Sequence, residues 1–183
     1  MNMKKIKTIN NLLRYPTPVV MVSLSDFVSV DNIITIAWTG IVCSSPPCIS
    51  ISIKPNRYSH DIIKQTGVFG INIPSFNMLS QTDICGTISG RDQNKFELCN
   101  FTKFFGSETK VPLIEECAVN YECKVVNSIK IGSHTMFIGQ LLSKYHMEDT
   151  NLDDFFDTIA YVKPNYLKIR QGGVGTHGFS NKI

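Results

Sequence analysis

The sequence predicts a mainly β fold, an antiparallel barrel with short helices, and three observations carry that prediction. Six short runs rich in β-branched residues, at 19–24, 33–38, 48–53, 68–73, 119–126 and 135–142, are bounded by Pro, Gly, Asn or Ser. Helical patterns are few and short, so the strands must pair over long sequence separations, and closing them into a barrel removes exposed edges. No GxxxxGK[ST] occurs, and strands do not alternate with long helices. A dinucleotide-binding βαβ unit or a P-loop therefore has no support.

Taken in chain order, the runs at 19–24 and 33–38 read as buried strands. Cys48-Ile49-Ser50-Ile51-Ser52-Ile53 alternates Ile with small residues at period two. One face therefore enters the core, and the other is small enough for something flat to approach it. Ser59 is expected to cap a helix over 60–66, with Asp61 in its first turn and Gly67 at its end. A second helix is expected over 77–85, apolar at Met78, Leu79 and Ile84 and stopped by Gly86, and a third helical turn over 153–158. No repeat, low-complexity tract or dividing linker is present. One domain over 1–183 is expected, with its core at about 15–145 and a C-terminal extension over 146–183. Within that extension, Gln171-Gly172-Gly173-Val174-Gly175 reads as flexible by composition.

Charged residues make up 18% of the 183, below the ~25% of an average soluble protein. Either little surface meets water or a partner covers some of it. The net charge of +3 is small and dispersed, which argues against nucleic acid as a partner. Lys4, Lys5 and Lys7 read as a solvated N-terminal face. No apolar run approaches the ~20 residues that span a bilayer, and Met1 to Thr8 leads into Asn10 and Asn11 rather than an apolar signal segment. The expectation is a soluble cytoplasmic chain with no membrane partner. Cys43, Cys48, Cys85, Cys99, Cys117 and Cys123 form no CxxC and no zinc spacing with His. They are expected to be free thiols that pack as small hydrophobes, with no metal site.

Three segments could carry chemistry. Lys54-Pro55-Asn56-Arg57-Tyr58-Ser59-His60 joins a strand to a helix N-terminus, where unpaired amides, Arg57 and the Ser59 hydroxyl favour an anion such as phosphate. An ordinary capped helix with an exposed Arg is the alternative. Cys85-Gly86-Thr87-Ile88-Ser89-Gly90-Arg91-Asp92-Gln93-Asn94-Lys95 reads as a polar loop with two cations, and Lys95 offers a point charge to phosphate or to an electron-rich ring. A solvated surface loop is the alternative there. Asn32, Thr35 and Thr39 flank the only Trp, Trp38, beside Ala37, an arrangement suited to a planar heterocycle, although a lone strand Trp is more often core. No GxSxG elbow accompanies Ser44 or Ser59 with His60, so no nucleophile is assigned. His134 and His146 read as structural or solvent-facing, and His177 falls in a tail with no assigned place.

Read together, these segments resemble a known family. Tyr15-Pro16-Thr17-Pro18, Asn32-x-x-Thr35-x-x-Trp38, Ser44-Ser45-Pro46-Pro47, Arg57-Tyr58-Ser59-His60, Asn72-x-Pro74-Ser75 and Cys85-Gly86-Thr87-x-Ser89-Gly90-Arg91-Asp92-x-x-Lys95-Phe96 occur in order. Pro112-Leu113-Ile114-x-x-Cys117-Ala118, Glu122-Cys123 and Gly132-x-His134-Thr135-x-Phe137-x-Gly139 follow. The whole resembles the flavin reductase-like, flavoredoxin-type proteins over about residues 15–145.

The resemblance implies a split β-barrel, antiparallel and Greek-key-like, that binds FMN, as a homodimer with the flavin near the subunit interface. It places phosphate binding on Arg57 and Ser59, with His60 and Lys95 as further candidates. The strand from Asn32 to Thr39 would lie along the isoalloxazine ring, with backbone near Ala37 and Trp38 at its polar edge. Cys85, Gly86 and Ser89 would close the pocket, and Lys54 and Tyr58 belong to the same phosphate segment. The implied activity is an oxidoreductase passing electrons from NAD(P)H or a protein donor through FMN to an acceptor. The alternatives are a non-catalytic FMN electron carrier and a barrel for another anionic ligand. For Cys85, beside Lys95 and Arg91, the alternative to a packing thiol is one with a lowered pKa that exchanges electrons with flavin.

Overall fold

The computed structural model describes residue 7, residues 15–147 and residues 157–169. Its strands are β1 (Thr17–Pro18), β2 (Val20–Ser25), β3 (Asp31–Ile36), β4 (Thr39–Ser44), β5 (Pro47–Ile53), β6 (Val68–Ile73), β7 (Lys103–Phe105), β8 (Pro112–Ile114), β9 (Val119–Ile131), β10 (His134–His146), β11 (Thr158–Val162) and β12 (Asn165–Ile169). The helices are α1 (Tyr58–Thr66), α2 (Leu79–Thr87) and α3 (Lys95–Leu98).

Seven strands pair antiparallel in the order β3-β2-β6-β9-β10-β5-β4. The sheet curls until its ends approach, and Ser52 N in β5 donates to Trp38 O just beyond β3 (2.9 Å). That bond continues the β4–β5 ladder one residue past the Thr39–Ile51 pair, and β3 and β4, joined through Ala37 and Trp38, bring the two ends of the sheet together as a split β-barrel. Val22, Leu24, Ile51, Ile53, Phe69, Ile71 and Phe137 fill the interior. In β5, Ile51 and Ile53 are buried while Ser50 and Ser52 are half-buried on the opposite side, as the alternation requires. Two smaller sheets, β1-β11-β12 and β7-β8, complete the fold. Among the described residues no helix is long and apolar enough to cross a membrane.

Several elements differ from the sequence expectation for definable reasons. Helix α1 begins at Tyr58, and Arg57 rather than Ser59 holds the cap position, with no side-chain capping bond. Ser59 instead faces β3, where its Oγ accepts from Asn32 Nδ2 (2.9 Å). A buried amide needs a partner more than an open helix end does. At the other end, Gly67 adopts φ 71° and donates to Ile63 O, closing the helix as expected.

Gly86 does not stop the second helix, which runs from a 3-10 turn at Phe76–Met78 through α2 to Thr87. A Cβ on Gly86 would lie 3.3 Å from Thr35 Cβ, so its smallness serves close packing of α2 on β3. Of the turn expected over 153–158, residues 153–156 lie outside the described residues, and Thr158 opens β11. The C-terminal hairpin belongs to the core: Ile159 and Ala160 are buried, Val19 N donates to Ile159 O (3.1 Å), and Phe76 N donates to Asp157 O (2.8 Å).

One buried carboxylate organises the far side. Glu122 in β9 accepts from Tyr145 Oη (2.6 Å), Thr109 N and Oγ1 (both 2.7 Å) and Glu108 N (3.2 Å). Burial alone would raise its pKa, but these bonds outweigh burial and hold the carboxyl below its ordinary 4.5. A carboxyl with a depressed folded pKa contributes stability above its unfolded pKa, and that contribution disappears as pH falls through the folded value. Glu122→Gln is expected to lower unfolding free energy at pH 7 by about 1.5–3 kcal/mol. In denaturant titrations the gap from the parent chain should shrink as pH drops below 4.5; a gap that widens toward acid would contradict this role.

Candidate functional site

Strand β3 sits between α2 and the loop after β5, and two adjoining hollows open along it. The first is bounded by Thr35, Ala37, Trp38, Ser52, Lys54 and His134. The second is bounded by Asn32, Tyr58, Ser59, Ser89, Arg91 and Lys95. Ile34, Arg57 and Gly86 line both, so the two form one groove. Lys54, Arg57, Arg91 and Lys95 contribute positive charge, and no acidic residue is among the described lining. The N-terminus of α1 adds its dipole at the second hollow.

Lys95 does more than the loop reading anticipated. It starts α3, is buried, and its Nζ donates to Ile33 O (2.7 Å) and Cys85 O (2.9 Å). It therefore ties β3 to α2 beneath the second hollow instead of projecting from a loop, because a buried ammonium must be satisfied by carbonyls. Burial, foremost, lowers its pKa. Arg91 stacks over the Tyr58 ring at 5.0 Å, which fixes a second guanidinium beside Arg57. Gly90 approaches Asn32 closely: a Cβ there would meet Asn32 Oδ1 at 2.2 Å.

His60, expected beside phosphate, turns inward. Its Nδ1 lies 3.1 Å from Asp61 Oδ1, its Nε2 3.0 Å from Thr135 Oγ1, and its ring packs on Phe137. Thr39 opens β4 with a buried Oγ1 and lies outside both hollows. Cys85 lines the second hollow, but burial and the adjacent Cys99 push its thiol pKa up. Its sulfur is 3.8 Å from Cys99 Sγ. The buried packing thiol is what the structure holds at that position, and the activated-thiol alternative is not met, because desolvation outweighs the neighbouring cations. Trp38 is 57% exposed, so it is not core. His134, read from sequence as structural or solvent-facing, packs against Trp38 with ring centroids 4.2 Å apart and lines the groove. That pairing arises from β10 lying beside β5, which no local pattern reveals.

Over residues 12–168 the sequence matches the family described as flavin reductase like domain. The chain belongs to that family. Its structure is similar to flavoredoxin from Methanosarcina acetivorans, with a TM-score of 0.86 and 27% identity over 98% of each chain. It is also similar to flavoredoxin of Desulfovibrio vulgaris (Miyazaki F), with a TM-score of 0.84 and 31% identity over 97% of this chain and 98% of that one. A ferric-chelate reductase (NAD(P)H) from Archaeoglobus fulgidus is 25% identical over 115 residues, 62% of this chain and 67% of the relative.

The groove of this flavin reductase-like chain fits a flavin on its own chemistry. Asn32 Oδ1 is buried and accepts no hydrogen bond from the described residues, an acceptor suited to a ribityl hydroxyl. Gly86 leaves the groove floor without a side chain, and the cation-only hollow suits a phosphate.

Two outcomes check this geometry. Lys95→Met leaves two carbonyls without their donor and should cost about 2–3 kcal/mol in chemical denaturation; unchanged stability would contradict the clamp. With a thiol reagent at pH 8, exposed Cys43 should react in the native chain, while Cys85, Cys99, Cys117 and Cys123 should react only after unfolding. Rapid native labelling of Cys85 would show that its thiol is more accessible than its burial implies.

Proposed function

We propose that the chain is an FMN-dependent oxidoreductase, passing electrons from NAD(P)H or a protein donor through FMN to an acceptor. The observation that carries this reading is the continuity of a hollow lined by Arg57, Arg91 and Lys95 with the flat β3 strip ending at Trp38. A dianionic phosphate and a planar ring, joined by a polyhydroxyl chain, match the hollow and the strip in that order. The flavin, when bound, supplies the hydride and electron chemistry.

The chain's own residues bind and orient. Arg57, Arg91 and the α1 N-terminus would hold the phosphate, and Asn32 would accept from the ribityl chain. Ile34 to Trp38 would carry the ring, with Trp38 and His134 closing one end. The relative named a ferric-chelate reductase (NAD(P)H) supports a nicotinamide donor, and the flavoredoxin neighbours support flavin-based redox chemistry. The same groove also suits a carrier that holds FMN without turnover; steady-state oxidation of NADH or NADPH with FMN fully bound would favour the enzyme over the carrier.

A homodimer is part of the proposal. Ile41 (85% exposed), Val126 (52%) and Ile131 (58%) leave apolar surface on β4 and the far end of β9, which agrees with the low charge content. Sedimentation should give twice the 20.5 kDa chain mass, and a monomer would leave that surface unexplained.

The purified chain should be yellow or should bind added FMN. Arg57→Ala should weaken FMN binding by about 1.5–3 kcal/mol while changing riboflavin binding little, because only FMN carries the phosphate. Calorimetry showing equal loss for both ligands would remove Arg57 from the phosphate site.

A further inference from the structure

A third hollow opens beside α2, adjoining the ring strip and reaching past it to the C-terminal hairpin. Its floor is Thr35, Ala37 and Gly86, of which all three also line the ring strip. Its walls are Val19, Pro164 and the two tyrosines of the C-terminal hairpin, Tyr161 and Tyr166, with Asp83 at the rim. The tyrosine rings are 5.2 Å apart and tilted by 53°. Tyr166 Oη donates to Asp83 Oδ1 (3.1 Å), and burial, helped by Asp83, pushes the Tyr166 pKa up to about 12. The hairpin that carries both rings is anchored by β1–β11 pairing and by the Val19 and Phe76 amides. Its position beside β3 is therefore built into the fold.

The charge here is opposite to that of the groove. Asp83 is the one ionised group among the described lining, whereas the charged side chains lining the other two hollows are all lysines and arginines. A pyrophosphate-bearing ligand is disfavoured against a carboxylate with no cation among the described lining. Two aromatic faces, a proline and an alanine favour a flat, uncharged molecule. A quinone and its hydroquinone both meet those terms. A phenol hydroxyl can donate to the quinone carbonyl, and the Asp83 carboxylate can accept from the hydroquinone hydroxyl.

We propose that this hollow is a binding site for a small, uncharged quinone-class electron acceptor, with Tyr161 and Tyr166 as its positioning residues. The proposal rests on the flavin reading for its redox role, since the shared floor sets the ligand beside the ring strip. Reducing a quinone to its hydroquinone consumes two electrons and two protons. A nicotinamide donor oxidised at the same centre supplies a hydride, which is two electrons and one proton, and solvent supplies the second proton.

The test is equilibrium dialysis of duroquinone and of anthraquinone-2-sulfonate against the FMN-loaded and the flavin-free chain. Duroquinone should bind saturably at one site per chain. The Tyr161→Leu/Tyr166→Leu variant should bind it about tenfold more weakly with FMN affinity unchanged. Asp83→Asn should leave duroquinone binding alone and strengthen binding of the sulfonated quinone about fivefold, because a like charge is removed. No saturable duroquinone binding, or equal binding by the tyrosine variant, would overturn the proposal. If that variant fails to fold, by circular dichroism, the Asp83→Asn comparison decides: stronger binding of the sulfonated quinone supports the site, and unchanged binding of it overturns the proposal. Duroquinone bound without FMN affinity would sink the flavin reading and leave the site standing; FMN bound without duroquinone would sink the site alone.

Discussion

The groove depends on one buried cation. Lys95 Nζ reaches from α3 to carbonyls on two separate elements, Ile33 in β3 and Cys85 in α2. Those elements are the two long walls against which any ligand must lie. A buried ammonium is costly unless its donors are met, and here both bonds go to backbone, so position is fixed without a neutralising carboxylate. The consequence is electrostatic as well as mechanical. Positive charge remains beneath the second hollow, adding to Arg57, Arg91 and the α1 dipole.

Barrel geometry makes that arrangement possible. Strand β3 turns through Ala37 and Trp38 straight into β4, and the bond from Ser52 N to Trp38 O holds that turn against β5. Ala37 and Trp38 then lie along the opening, and His134 from β10 arrives across β5 to pack on Trp38. The C-terminal hairpin covers the other flank through β1 and β11. Three surfaces of different character therefore meet along one strand: a cationic end, a flat middle, and an aromatic flank whose ionised group is an acid. A cofactor with one anionic and one planar part matches the first two, and a neutral aromatic matches the third.

Much of this was legible in the sequence, and the remainder was hidden for identifiable reasons. The strands at 19–24, 33–38, 48–53 and 68–73 announced themselves by β-branched content and period, and Arg57 beside a helix start pointed to an anion. Side-chain commitment was not legible. Ser59 reads locally as a cap, yet Asn32, which lies 27 positions away, claims it. His60 likewise belongs to Thr135, and Lys95 to carbonyls of two other elements. Each of these outcomes is decided by tertiary neighbours, which periodicity does not encode. The hairpin of β11 and β12 was missed because its strands are short and its buried residues, Ile159 and Ala160, are few. Cys85 follows the packing-thiol reading, because desolvation outweighs the nearby cations on which the activated-thiol alternative rested.

The most direct test of this account is a crystal structure of the chain with FMN. The account requires the phosphate to contact Arg57 in the hollow at the α1 N-terminus and the isoalloxazine to lie along 34–38 beside Trp38. A phosphate bound elsewhere, or a ring that does not touch β3, would contradict it.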